Sequence, residues 1–158
     1  MAIMKIENYV QQKMSQGIRD LFLAIYPNNP SIAERMDFDE HVKTHVCTKI
    51  AIIEKKIVGQ ANIFLMKNKT DMANLGYHVH PDFHKKGIGE KMSKVAIKCA
   101  KNKGVKILLI RTDASNVGSI KLAKKLGFIE PTKEFLETNK DLIYHKNLKK
   151  MVCLVLYL

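Results

Sequence analysis

The 158-residue chain, with 46% hydrophobic and 27% charged residues, is long enough to bury a core and too apolar to be disordered, so one globular domain is expected over residues 1–158. No apolar run is long enough to span a bilayer and no charged-then-apolar leader opens the chain, so no membrane association is expected. The net charge of +12 leaves two partner classes open, an anionic ligand or a nucleic acid.

In chain order, Tyr9, Val10, Met14, Ile18, Leu21, Phe22 and Ile25 recur at roughly helical spacing, so a helix is expected over Ile6 to Ile25, with Gly17 counting against it. Tyr26 to Pro30 is a loop. Ser31-Ile-Ala-Glu34 has the pattern of a capping box, which predicts a second helix to about His45. Thr48 to Ile53 and Ile57 to Met66 read as a hairpin, and Met72 to Val79 as a third strand. Gly89 to Asn102 is a predicted helix with Met92, Val95, Ala96, Cys99 and Ala100 on one face. Ile107 to Ile110 has the continuous apolar run of a strand buried on both faces. A helix is expected after Asn116, ending at Gly127. Further strands are expected at Phe128-Ile129, Asp141 to Leu148 and Met151 to Leu158. That order makes an α/β or α+β domain with a mixed sheet. Cys47, Cys99 and Cys153 are odd in number, scattered and without a CxxC, which predicts reduced thiols in a cytoplasmic protein.

The most informative stretch is Leu75-Gly-Tyr-His-Val-His-Pro-Asp-Phe-His-Lys-Lys-Gly-Ile-Gly-Glu90. It reads as strand, turn, basic Gly loop and helix start. N–H groups at a helix N-terminus lack intrahelical partners and point at whatever lies above them, which suits a phosphate. Gly87 and Gly89 would let a ligand approach, and Lys85 and Lys86 add charge. A plain strand–helix turn has the same residues, so the loop alone does not decide. The charge distribution narrows the choice. Eight lysines lie between His84 and Lys106 against one acid, Glu90. Glu34, Asp37, Asp39 and Glu40 oppose only Arg35 around the second helix. Glu130, Glu134, Glu137 and Asp141 outweigh Lys133 and Lys140 further on. With no Trp and no aromatics among the lysines, one polyanionic ligand is favoured over nucleic acid.

His84-Lys-Lys-Gly-Ile-Gly89 resembles the coenzyme A motif of the GNAT superfamily of N-acetyltransferases, Gln/Arg-x-x-Gly-x-Gly/Ala. Asn116 through Leu126-Gly-Phe128 resembles that family's second mark. The resemblance covers about Ile50 to Leu148 well and the first 45 residues loosely. It implies a GNAT-like mixed, mostly antiparallel twisted sheet with a central parallel strand pair flanked by helices. It also implies acetyl-coenzyme A as cofactor and direct acetyl transfer to a primary amine in a ternary complex. Tyr77, His78 and Val79 would pair with the pantetheine arm. The N–H groups of His84, Lys85, Lys86, Gly87, Ile88, Gly89 and Glu90 would hold the pyrophosphate. Asn116 would bond the pantetheine, and Ser119 would pack against the cofactor. In the family the acceptor lies between the first two helices and a hairpin near the C-terminus. Those are the acidic segments here, which implies a cationic acceptor: a small molecule, peptide or protein amine. Pairs of subunits are common in the family, and the apolar tail Met151 to Leu158 is a candidate edge for a homodimer.

Two positions depart from the family. Ala123 stands where many members carry a Tyr acid, and Asn74 where many carry an acidic residue on the fourth strand. These departures leave open a coenzyme A-binding module without transferase activity. Candidate replacements are His78, His80, Asp113 and Tyr144. For each, a structural role stands beside the chemical one: packing for His78, a turn for His80, a helix cap for Asp113, a strand position for Tyr144. His41 and His45, with Cys47 nearby, have a spacing that suits a metal. They lack an HExxH glutamate or a fourth ligand, so no metal site is expected. Cys99 falls on the apolar helix face and reads as core.

Overall fold

The computed structural model describes residues 3–36, 45–143 and 150–158. One sheet carries six strands in the order of the chain: β1 (Met4–Asn8), β2 (His45–Ile53), β3 (Lys56–Leu65), β4 (Met72–Val79), β5 (Ile107–Asp113) and β6 (Met151–Tyr157). Neighbours are antiparallel except the central pair β4–β5, as expected for the mixed sheet. The described helices are α1 (Gln11–Ile25), α2 (Ser31–Met36), α3 (Ile88–Asn102), α4 (Val117–Lys125), α5 (Lys133–Thr138) and α6 (Lys140–Ile143).

Strand alternation sends residues of β3 and β4 to opposite faces. Ala61, Ile63, Ala73 and Leu75 meet α3 and α4 on one face, in a core with Met92, Ala96, Leu108 and Phe128. α3 reaches that core through Ile88, Met92, Ala96 and Ala100, spaced by four so that they stack along one stripe. On the opposite face, Met14, Ile18, Leu21 and Phe22 of α1 pack with Ile50 and Ile57. Gly17 sits where α1 comes closest to β3, since a Cβ there would lie 2.7 Å from Ile57 Cδ1. Further along that second face, Phe135 of α5 joins Met66, Met72, Leu109 and Val155. The second face is therefore covered at two places, by α1 with α2 and by α5.

Several sequence expectations are corrected. The first helix does not begin at Ile6: Met4–Asn8 is a strand paired with β2, and α1 starts at Gln11. A short apolar stretch fits either period, and the long-range pairing Ile6↔Ala51 decides it. The capping-box reading fails too, because Ser31 is already helical and its Oγ donates to Asn29 Oδ1 at 2.7 Å. β2 begins at His45, where the second helix was expected to end. Val95 is 39% exposed rather than on the packed face. Phe128-Ile129 forms only a single bridge, Ile129↔Val155. Asp141 begins no strand but lies in α6, and residues 144–148 of that expected strand fall outside the described residues. α5 was not anticipated, although Thr132 caps it by accepting from Phe135 N at 3.1 Å. The tail forms β6, paired with β5 from Asp113↔Met151 to Ile107↔Tyr157.

The cysteines give a further correction. Cys47 of β2 and Cys99 of α3 form a disulfide, leaving Cys153 free. The two residues are 52 apart in sequence, yet α3 lies on β2 with their Cα atoms 6.5 Å apart. No CxxC spacing announces a pair brought together by helix-on-sheet packing.

Candidate active site

β4 and β5 pair only at Met72↔Ile107, Ala73↔Leu108 and Asn74↔Leu109. Beyond that point β4 stays with β3 to Val79, and β5 stays with β6 to Asp113. The two parallel strands thus part in the middle of the sheet. Beyond Asn74 and Leu109 the facing edges no longer pair with each other, which opens a slot between the two strands.

The slot leads to the basic loop. Here the chain is held by its own side chains. His80 Nδ1 accepts from Asp82 N at 3.3 Å, starting the 3₁₀ turn Pro81–Phe83. His84 Nε2 donates to Val79 O at 2.9 Å. Lys86 Nζ donates to Asp82 O at 3.0 Å and lies 4.7 Å from the Phe83 ring centre, so it is turned onto its own loop. Lys85 and Gly87 both have left-handed backbones, with φ of 60° and 73°. Such alternation gathers successive N–H groups into an anion-binding concavity. Gly87 is the N-cap of α3, and a Cβ there would meet nothing within 4 Å. The N–H groups of Ile88, Gly89 and Glu90, in the first turn, have no intrahelical acceptor. A pyrophosphate fits this corner: open space, orphan donors, the positive end of a 15-residue helix and exposed lysines. The Glu90 carboxylate turns away from the loop and bonds Lys125 at 2.5 Å and Lys94 at 2.8 Å. Those bonds, Lys125 first, pull its pKa down to about 2 and strap α3 to the end of α4.

On the far side of the slot, Asn116 caps α4 by accepting from Ser119 N at 3.2 Å. Asp113 accepts from Ser115 Oγ at 2.5 Å and Ser115 N at 2.8 Å, which holds its carboxyl below the usual range and fixes the approach to α4. The Tyr77 hydroxyl crosses from β4 to this helix. It lies 2.8 Å from Ser119 Oγ and 3.2 Å from Ser119 O. Burial, offset in part by the Ser119 bond, raises its pKa, so it keeps its proton. Ser119 precedes Ala123 by one helical turn on the same side. Helical side chains lean towards the N-terminus, so a large residue at 123 would reach the region that the Tyr77 phenol now occupies.

The other face of the slot carries Asn74, His78 and Arg111. Asn74 is 6% exposed, and its Oδ1 accepts from Arg111 Nε at 3.0 Å. Desolvation lowers the pKa of this half-buried guanidinium, with the Cys153 thiol opposing the shift. His78 packs on Phe22, with ring centres 4.8 Å apart, and on Tyr26. Burial lowers its pKa to about 4, so the ring is neutral at pH 7.

Tyr77, His78, Val79, the 84–90 loop, Asn116 and Ser119 thus surround one slot, with Asp113 at its β5 end. Tyr144 and His41 lie outside the described residues. His45 Nδ1 is 3.0 Å from Thr48 Oγ1, and Cys47 is spent on the disulfide. Sequence reasoning missed the Tyr77 hydroxyl as a chemical group, the Asn74–Arg111 bond and the Glu90 strap. The smallness of Ala123 hinted at the first; the other two need the strand and helix neighbours to be known.

The chain matches the profile of the Acetyltransferase (GNAT) family over residues 9–128. No match was found among curated proteins. Among solved structures it is similar to the ribosomal-protein-alanine N-acetyltransferase of Brucella melitensis, at 16% identity and a TM-score of 0.74, covering 98% of this chain and 99% of that one. An N-acetyltransferase of Staphylococcus aureus Mu50 gives 17% identity and a TM-score of 0.73, with 98% of each chain covered. A GNAT family acetyltransferase of Brucella melitensis, solved in complex with acetyl-CoA, gives 18% identity and a TM-score of 0.66, covering 80% of this chain and 83% of that one. The expected cofactor agrees with that family and that complex. With the parted β4–β5 pair, the Gly87-capped helix and a profile match over most of its length, this chain belongs to the Acetyltransferase (GNAT) family.

Proposed function

We propose that the protein is an acetyl-coenzyme A-dependent N-acetyltransferase that moves the acetyl group directly to a primary, cationic amine. The observation that carries this is the slot where β4 leaves β5, ending at the α3 N-terminus under Gly87. When bound, acetyl-coenzyme A supplies an acetyl group activated as a thioester. The chain's own residues do the rest. N–H groups from His84 to Glu90 hold the pyrophosphate. The β4 edge at Tyr77, His78 and Val79 aligns the pantetheine arm, and its N–H groups polarise a carbonyl placed beside them. Holding the two reactants together supplies much of the rate enhancement. The Tyr77 phenol holds a proton beside Ser119, where it would protonate the departing thiolate in place of the missing Tyr at 123. His78 Nδ1 accepts a hydrogen bond from the amine, and water carries the amine's proton out past Asp113.

Calorimetry with acetyl-coenzyme A tests the reading. We expect saturable binding to the wild type and none to Gly87→Glu, which fills and charges the phosphate seat; equal affinity in both would sink it. A second reading, a coenzyme A-binding module without transfer, is favoured by the Asn74–Arg111 bond, which leaves no carboxylate at that position. Cofactor binding without acetylation of any of a broad panel of amines would select it.

A further inference from the structure

We propose that a hollow over Gly76, on the α1 face of the sheet, seats the hydrogen-bond-donating head of the acceptor, an unsubstituted ammonium or amine. This rests on the acetyl-transfer reading only for the identity of the seated group. The register places Gln60 opposite His78, Asn62 opposite Gly76 and Phe64 opposite Asn74. Opposed residues share a face, with Cβ atoms about 5 Å apart. His78 packs against Phe22 of α1, so the whole row lies on the α1 face. In that row Gly76 is the gap: a Cβ there would meet nothing within 4 Å.

The atoms around the gap are polar and buried. Gln60 is 3% exposed and Asn62 6%. Gln60 Oε1, Asn62 Oδ1 and His78 Nδ1 are each buried without a hydrogen-bond partner among the described residues. A buried acceptor left unsatisfied is costly, so such atoms normally find partners. Here three fall on adjacent positions of two strands beside open space. All three are able to accept, and none carries a negative charge. Their shared complement is a compact group with several N–H donors. The place also suits the chemistry. Gly76 comes just after Asn74, where β4 and β5 part, so a group seated there lies beside the slot.

The test uses n-propylammonium as probe, with the full chain labelled for NMR. We expect saturable shifts of the Asn62 and Gln60 side-chain amides and of the His78 ring. Tetramethylammonium, which has the charge but no N–H, should leave them unmoved. Asn62→Leu removes one acceptor. Gly76→Val fills the gap at a strand position where a Cβ meets nothing within 4 Å. Each should weaken the probe about tenfold or more, with acetyl-coenzyme A affinity read separately by calorimetry. Unchanged probe affinity in both variants would overturn the proposal. So would an equal response to tetramethylammonium, or no saturable shift in a wild type that binds acetyl-coenzyme A. If the wild type binds the probe as described but not acetyl-coenzyme A, the hollow stands and the acetyl-transfer reading falls.

Discussion

Tyr77 and His78 are neighbours on β4, and strand alternation sends them to opposite faces with opposite duties. The Tyr77 phenol, bonded to Ser119, is buried enough to stay protonated. Replacing it with Phe keeps the ring and the backbone and removes the hydroxyl, its proton and its bond to Ser119. We expect Tyr77→Phe to lower kcat by roughly 10²-fold or more, with a much smaller change in KM for acetyl-coenzyme A. Steady-state kinetics across pH check this, and an unchanged kcat would remove Tyr77 from the chemistry. His78 makes a different prediction. Its pKa falls from 6.5 to about 4 on burial. Above pH 6.5 the ring is neutral in both folded and unfolded chains. Between 6.5 and about 4 only the unfolded chain takes up the proton, so stability falls as pH falls through that window. The loss tends to a limit on the order of 3 kcal/mol below the folded pKa. His78→Gln should flatten that part of the pH–stability curve; denaturant titrations of both proteins at pH 7 and pH 4.5 would show it, and parallel curves would refute it.

At the scale of elements, two cross-links fix α3. The Cys47–Cys99 disulfide ties its far half to β2, and Glu90 straps its first turn to Lys125. Closing a 52-residue separation removes unfolded-chain entropy worth roughly 4 kcal/mol in the loop model. We therefore expect reduction, or Cys99→Ser, to lower Tm by several degrees. Thiol counting on denatured protein should give one free cysteine before reduction and three after. Three before reduction would show the bond absent. Burial pushes the Cys153 thiol up to about 11, so in the native protein it should react slowly. The elements also show what was legible beforehand. β4, α3 and the Gly loop could be read because their signals are local: alternation, i to i+4 spacing, and glycines at a helix start. β1 could not, since its partner β2 lies some forty residues on and only the pairing Met4↔Ile53 to Asn8↔Lys49 makes it a strand. For the same reason the cofactor loop was readable as a motif. The polar row of Gln60, Asn62 and His78 was not, because it exists only once the β3–β4 register is set.

For the whole molecule, the net charge of +12 makes association with a polyanion depend on ionic strength. Screening length shrinks from about 10 Å at 0.1 M salt to about 3 Å at 1 M. Acetyl-coenzyme A affinity should fall steadily over that range, while the affinity of an uncharged pantetheine fragment should not. Calorimetry at several salt concentrations separates the two, and parallel trends would argue against phosphate recognition by the 84–90 loop. The parting of β4 from β5 also bears on cooperativity. β1 to β4 and β5 with β6 are two half-sheets joined edge to edge by three pairs of residues. Both halves contribute to the cores around Leu108 and Leu109, but beyond Asn74 no backbone pairing joins β4 to β5, so in the ligand-free protein amide exchange should fall into two groups with different opening energies. A ligand that bonds both edges of the slot couples those openings. Saturating coenzyme A should therefore slow exchange in both halves and draw their opening energies together, merging two folding units into one.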